Sequence, residues 1–267
     1  MLLHRQRPVI VGVVNLTPDS FSDGSPQTSI AVFLQRARKL IDDGADILDI
    51  GGESTRPNAD YVSLAEERQR VIPFLAAFRQ HFPTFPVSLD TKKYELAKEA
   101  LDYKIAIIND VSFLADRRLL ELAGECKCHY ILMHARGDQK TMMDMTSYPS
   151  GLISTMKDEI DAKLRGIDRL GLSKNVILDL GFGFAKTPEQ CVELMENLHV
   201  WRDYSCLKLF AVSRKRFLQK YIGECAPHER DQISASLSVK AYEQGFGMIR
   251  THNVKLTRSY LLRFIKE

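Results

Sequence analysis

Eight short apolar runs punctuate the chain, at residues 9–15, 47–53, 87–90, 105–110, 130–134, 176–179, 207–215 and 248–252. Each closes on a polar or charged residue: Asn15, Glu53, Asp90, Asp110, His134, Asp179, Lys215 and His252. Runs of roughly 4–8 residues rich in Val and Ile, spaced by helical-length segments, predict buried parallel strands of βα units. Eight such units predict a closed α/β barrel of the (β/α)8 TIM type. In that architecture the active site is assembled at the C-terminal ends of the strands, so the polar residue ending each run stands where an enzyme uses it.

Helical pattern fills the gaps. Ile30, Phe33, Leu34, Ala37, Leu40 and Ile41 repeat at three and four, and Asp43-Gly44 stops that helix. Segments 64–78, 94–101, 153–170 and 191–198 carry the same amphipathic signal with charges on their outer faces. The stretch after the seventh run is longer, passing from Arg216 through a break near Pro227 to a helix at 233–244. No low-complexity tract or Pro/Gly-rich linker divides the chain, which predicts one domain over residues 1–267.

Composition narrows the class. A length of 267 residues suits one α/β barrel, and an apolar fraction of 45% suits a sizeable core. No uninterrupted apolar stretch approaches the roughly 20 residues a membrane span needs, and the N-terminal residues lack a signal-peptide pattern. The expectation is a cytoplasmic protein without a membrane partner. With 37 Lys and Arg against 34 Asp and Glu, no nucleic-acid footprint is indicated, so any anion recognition must be local. The five cysteines are scattered and odd in number, as suits reduced thiols. Cys126-Lys127-Cys128-His129 lacks a second ligand pair at metal-site spacing and reads as a turn at a strand edge.

Two polar, Gly/Pro-punctuated loops attach directly to run ends, at residues 17–26 and 51–59. At a barrel's catalytic rim, such loops serve as lids and substrate clamps. Their residues also carry a family resemblance. Asn15-Leu16-Thr17-Pro18-Asp19-Ser20-Phe21-Ser22-Asp23-Gly24 resembles the first signature of the dihydropteroate synthases, and Gly51-Gly52-Glu53-Ser54-Thr55-Arg56-Pro57 resembles the second. Ser88-Leu89-Asp90-Thr91, Ile108-Asn109-Asp110-Val111, Leu132-Met133-His134, Asp179-Leu180-Gly181-Phe182-Gly183-Phe184, Ser213-Arg214-Lys215 and Arg250-Thr251-His252 follow in the family's order.

The resemblance implies displacement of pyrophosphate from 6-hydroxymethyl-7,8-dihydropterin diphosphate by the amine of p-aminobenzoate, giving 7,8-dihydropteroate for folate biosynthesis. A pterin's rim alternates donors and acceptors, which a carboxylate and an amide can read together. A lone strand-end Asp more often caps backbone, but several such groups at one barrel mouth favour binding. Asp90, Asn109, Asp179 and Lys215 resemble the pterin-binding set, with Met133 and Phe184 packing near the ring. Arg250 and His252, two residues apart and so on one strand face, resemble the diphosphate clamp, joined by Asn15, Thr55 and Arg56. Asn15 is also the implied contact to Mg²⁺, a hard cation suited to oxygen ligands. Ser20, Phe21, Thr55, Pro57, Phe184, Lys215 and Arg216 are the implied p-aminobenzoate contacts. Asp90, Asp179, Lys215 and Arg250 carry the catalytic electrostatics, with an early-leaving diphosphate and no protein nucleophile. A homodimer through barrel-flanking helices is implied as well.

Four positions depart from the family pattern. Leu180 replaces a proline, Ala185 a glycine and Asn253 an aspartate, while Arg216 stands where serine is frequent. Leu180 removes a backbone constraint and Ala185 adds one, so the loop after the sixth run is where geometry is expected to differ. Two rival readings share part of the set. A pterin-dependent methyltransferase needs no diphosphate clamp, and a non-catalytic pterin-binding paralogue would tolerate its loss. The anion-site residues and both loops are present here, which ranks each rival below a synthase.

Overall fold

The computed structural model describes residues 7–17 and 26–266. Its strands are β1 (Val9–Asn15), β2 (Ile47–Gly51), β3 (Val87–Asp90), β4 (Ile107–Asp110), β5 (His129–Met133), β6 (Val176–Asp179), β7 (Leu207–Phe210) and β8 (Met248–Thr251). Each pairs in parallel with the next, and β8 closes on β1 through Val9 opposite Met248. The expected (β/α)8 barrel is the fold. The helices are α1 (Pro26–Asp42), α2 (Leu64–His81), α3 (Tyr94–Ala100), α4 (Arg117–Glu125), α5 (Leu152–Asp168), α6 (Pro188–Glu196), α7 (Gln219–Ile222), α8 (Asp231–Glu243) and α9 (Val254–Lys266).

The apolar pattern located most of these within a few residues but did not single out α4 or α9. α4 is short, and its buried residues Leu119, Leu120, Leu122 and Ala123 crowd into little more than one turn. In α9 the buried Val254 and Leu261 are interleaved with Lys255, Arg258 and Arg263. Helix starts follow local chemistry. Ser63 caps α2 by accepting from the Glu66 N–H while the Glu66 carboxylate accepts from the Ser63 N–H, and Thr187 forms the same reciprocal box with Gln190 ahead of α6. After β7 the chain forms only a 3-10 turn (Arg216–Leu218) and the four-residue α7. Helical structure thus begins at Arg216 but runs only to Ile222, short of the break near Pro227.

Strand periodicity sorts side chains into two compartments. Leu48, Leu89, Ile108, Leu132, Leu178 and Ile249 face outward into the main core beneath the helices. Ile47, Ile107, Ile131, Ile177, Leu209 and Met248 form a separate apolar cluster inside the barrel. Two residues further along, the same strands carry Asp49, Asn109, Met133, Asp179, Ala211 and Arg250. The apolar layer thus ends in a polar one at the C-terminal mouth. Among the described residues, no helix is long and apolar enough to cross a membrane.

Candidate active site

The polar layer is tied together by charge-assisted bonds. Arg250 on β8 donates through Nε to Asp49 Oδ2 at 2.6 Å and through Nη2 to Asp90 Oδ2 at 3.3 Å. Asn109 on β4 donates its amide to both Asp49 oxygens, at 3.2 and 3.3 Å. Asp49 was not singled out in the sequence, because it lies inside an apolar run rather than at its end. The alternation Ile47, Asp49 was the signal that it faces the mouth. Burial, reinforced by the Asp49 charge, pushes the Asp90 carboxyl up to about 8, against the pull of Arg250.

Asp179 and Lys215 form the other half of the floor. Burial raises the Asp179 carboxyl, with the Lys215 charge opposing it, and Asp179 Oδ1 accepts from the Gly181 N–H at 2.8 Å. Lys215 lies past the end of β7, reached through Arg214 in the left-handed conformation at φ +62°. Its ammonium donates to the Phe182 carbonyl and stands 4.8 Å from the centre of the Phe184 ring. Burial brings the Lys215 pKa down to about 8. Met133 is buried beside Asp179, its register partner on β6. The structure therefore gathers Asp90, Asn109, Asp179, Lys215, Met133 and Phe184 at one end of the barrel.

The loop after β6 is held from beneath. Lys186, 2% exposed, donates to the carbonyls of Gly181 and Phe184, both at 3.1 Å, and lies 2.9 Å from His134 Nδ1. His134 Nε2 in turn lies 2.8 Å from Glu159 Oε2. Burial lowers Lys186 to about 7 and His134 to about 4, so His134 is the neutral partner. Gly181 is required here: at φ +63°, a Cβ would come within 1.9 Å of the His134 carbonyl oxygen. Ala185 adopts φ +49° without glycine's freedom, so the departure noted in sequence is a strained residue in the structure. Leu180 is buried in the main core, which accounts for an apolar residue there.

The rim is cationic. His252 follows β8 directly; its backbone N–H donates to Ser213 Oγ at 3.0 Å and its Nδ1 pairs with the same oxygen at 3.0 Å. Burial, and then the charges of Arg250, Arg214, Arg36 and Arg56, lower the His252 pKa to about 3. Arg214 is fixed by Asp231 through bonds of 2.7 and 2.8 Å, and the Asn253 amide donates to Asp231 Oδ2 at 3.0 Å. Asn253 thus orients the Arg214 partner rather than His252, and an aspartate there would face the Asp231 carboxylate. Asn15 and Thr55 are half-buried, whereas Arg56, Pro57 and Arg216 are exposed. Ser20 and Phe21 lie outside the described residues. Among the described residues, no group of three or more His, Cys, Asp or Glu side chains is placed to hold a metal.

At the end of β4, neighbouring polar residues face opposite ways. Asn109 points into the mouth, while Asp110 turns outward to accept from the N–H groups of Ser112 at 2.8 Å and Leu114 at 3.2 Å and from the Tyr130 hydroxyl. That brace holds Phe113 and Leu114 in the left-handed region at φ +58° and +60°.

A barrel mouth with an acid-amide floor, a half-buried lysine and a cationic rim suits a flat polar heterocycle carrying an anionic substituent. Known proteins agree. The family model described as pterin binding enzyme matches residues 11–252. The dihydropteroate synthase of a Synechocystis strain is 37% identical over 252 residues, covering 94% of this chain and 86% of that protein. The folic acid synthesis protein fol1 of Schizosaccharomyces pombe is also 37% identical, but this chain spans only 34% of its length. A dihydropteroate synthase from Clostridium difficile, solved in the presence of pteroic acid, superimposes with a TM-score of 0.89 at 32% identity, covering 97% of this chain and 95% of that one. With the matched model spanning all eight strand ends that build the mouth, the chain belongs to the pterin-binding enzyme family, among its dihydropteroate synthases.

Proposed function

We propose that this chain joins 6-hydroxymethyl-7,8-dihydropterin diphosphate to p-aminobenzoate, forming 7,8-dihydropteroate and pyrophosphate. The observation that carries the reading is the pairing of two environments at one mouth, a carboxylate floor and a cationic rim. Pteroic acid, present in the Clostridium difficile structure, is itself a pterin joined through a methylene to p-aminobenzoate.

The Asp90 and Asp179 carboxylates accept from the pterin's amino group and ring N–H, and Asn109 reads the adjacent edge. Burial raises each carboxyl, in Asp90 with the Asp49 charge adding to it. The pterin supplies those donors and favours the ionised forms. Lys215 bonds the ring carbonyl side with Phe184 and Met133 packing nearby. Arg250 and His252, with Thr55 and Arg56 from the loop after β2, hold the diphosphate. Pro57, Ser20, Phe21 and Arg216 complete the p-aminobenzoate pocket.

In the reaction, the methylene C–O bond breaks and its electrons leave with pyrophosphate; the amine nitrogen forms the new C–N bond and loses one proton to solvent. The ionised aspartates stabilise positive charge growing on the pterin, and the cationic rim stabilises the departing anion. Asn15, which ends β1 at the mouth, would offer an amide oxygen to Mg²⁺, a hard cation suited to oxygen ligands. Bound there, the ion would neutralise leaving-group charge. The same reading carries a cytoplasmic location and a homodimer; light scattering of the purified protein tests the homodimer.

The deciding experiment supplies purified protein with both substrates, with and without Mg²⁺, and measures both products. Equal, metal-dependent formation of dihydropteroate and pyrophosphate is the expected result. Tight pterin binding without turnover would replace the synthase reading with a binding paralogue.

A further inference from the structure

One residue from a distant loop grips both ends of the segment that carries Thr55, Arg56 and Pro57. Gln139 follows β5, and two strands separate β5 from β2 around the barrel. Its side chain is buried, 3% exposed, and its Nε2 donates to Glu53 Oε1 at 2.7 Å. Its backbone carbonyl accepts from the Asn58 N–H, also at 2.7 Å. Residues 54–57 are the four between those two anchors. Asn58 turns the chain at φ +65°, and the Ala59 N–H closes the turn on the Arg56 carbonyl at 3.0 Å.

The amide is used at both ends. While Nε2 donates to Glu53, Oε1 accepts from Lys92 Nζ at 2.7 Å, bringing in the loop after β3. Glu53 is held independently by Lys93 Nζ at 2.5 Å, so the anchor beneath the segment is itself fixed. Around the rim, Lys140 Nζ donates to Asp60 Oδ1 and the Tyr61 hydroxyl to Asp138 Oδ2, each at 2.7 Å. Those outer contacts are exposed and worth little. The buried amide, carrying both a donor and an acceptor, is the element that no apolar or acidic side chain of equal length reproduces.

We propose that Gln139 is a positioning residue for p-aminobenzoate: by stapling both ends of residues 54–57, it holds Thr55 and Pro57 in the shape that closes the second-substrate pocket. The proposal rests on the synthase reading above. The Gln139→Met variant keeps length and volume but removes both side-chain hydrogen bonds. Its KM for p-aminobenzoate is expected to rise about 10-fold, the scale of one or two buried hydrogen bonds. Affinity for hydroxymethyldihydropterin without its diphosphate, measured by calorimetry, should stay within about 2-fold, because that ring uses the barrel floor. An unchanged KM overturns the proposal, and so does an equal loss of affinity for the bare pterin, which would mark a general loosening of the fold. Hydrogen exchange on the wild-type protein tests the staple without any variant. The Asn58 amide should exchange well below the free-chain rate; exchange at the free-chain rate overturns it. Absence of turnover by the wild-type protein would strike the synthase reading instead, leaving the exchange result to decide the staple.

Discussion

Ile47, Ile107, Ile177 and Met248 fill the lower barrel, while two positions later the same strands carry Asp49, Asn109, Asp179 and Arg250. The two layers share strands, hydrogen-bond ladders and, Arg250 apart, nearly equal burial, yet they answer to different demands. Each lower side chain contributes roughly 1.5–3 kcal/mol by leaving water. The upper layer contributes little or nothing to stability, since burial disfavours the charged forms of Asp179 and of its neighbours Asp90 and Lys215. The contrast locates function at the layer that folding alone would not have chosen.

Substitutions in the two layers should separate activity from stability. Asp179→Asn is expected to lower kcat/KM by on the order of 10²–10³-fold while leaving the melting temperature unchanged or higher, a loss confined to electrostatic stabilisation. A large drop in melting temperature would show that the upper layer is structural after all. Ile177→Ala should do the reverse, costing about 2–5 kcal/mol in denaturant unfolding with kcat of the folded enzyme preserved.

The Asp90 carboxyl sharpens the same contrast through pH. Its folded pKa of about 8 lies above the ordinary value of 3.8, so the folded state retains a proton that the unfolded state has lost between those limits. Stability attributable to this group therefore falls as pH rises across that window. Unfolding of wild type and Asp90→Asn, compared from about pH 5 to about pH 8, should show the wild type losing ground steadily. A constant difference would remove the claim. The smallest effect is expected at Ala185→Gly, where relief of the left-handed strain should raise stability by about 0.5–1 kcal/mol. Destabilisation there would mean that the turn is held by contacts other than the Tyr148 hydroxyl on the Ala185 carbonyl.

The barrel was legible because eight buried strands leave eight apolar runs, and Asp90, Asn109 and Asp179 stand at or beside their ends. Asp49 escaped because a run of mixed Gly and apolar residues extends past the true end of β2, hiding which position faces the mouth. Lys215 was legible by family motif, whereas its placement depends on the Arg214 turn and on the Asp231 and Asn253 side chains far along the chain. Gln139 carried no signal at all. An isolated glutamine in a polar loop looks like any solvated residue until the fold brings Glu53 and Lys92 to it.

The opposed residues Asn109 and Asp110 also limit how this chain can change in length. Because adjacent strand residues face opposite compartments, removing or inserting one residue in β4 would swap the two. The pocket would receive a carboxylate in place of its amide, and the outer turn would lose the acceptor that holds Phe113 and Leu114. A single indel would thus damage binding and architecture together. Point substitutions can explore either compartment separately, but changes of length at this strand end cannot, so insertions tolerated by this barrel should fall beyond the braced turn.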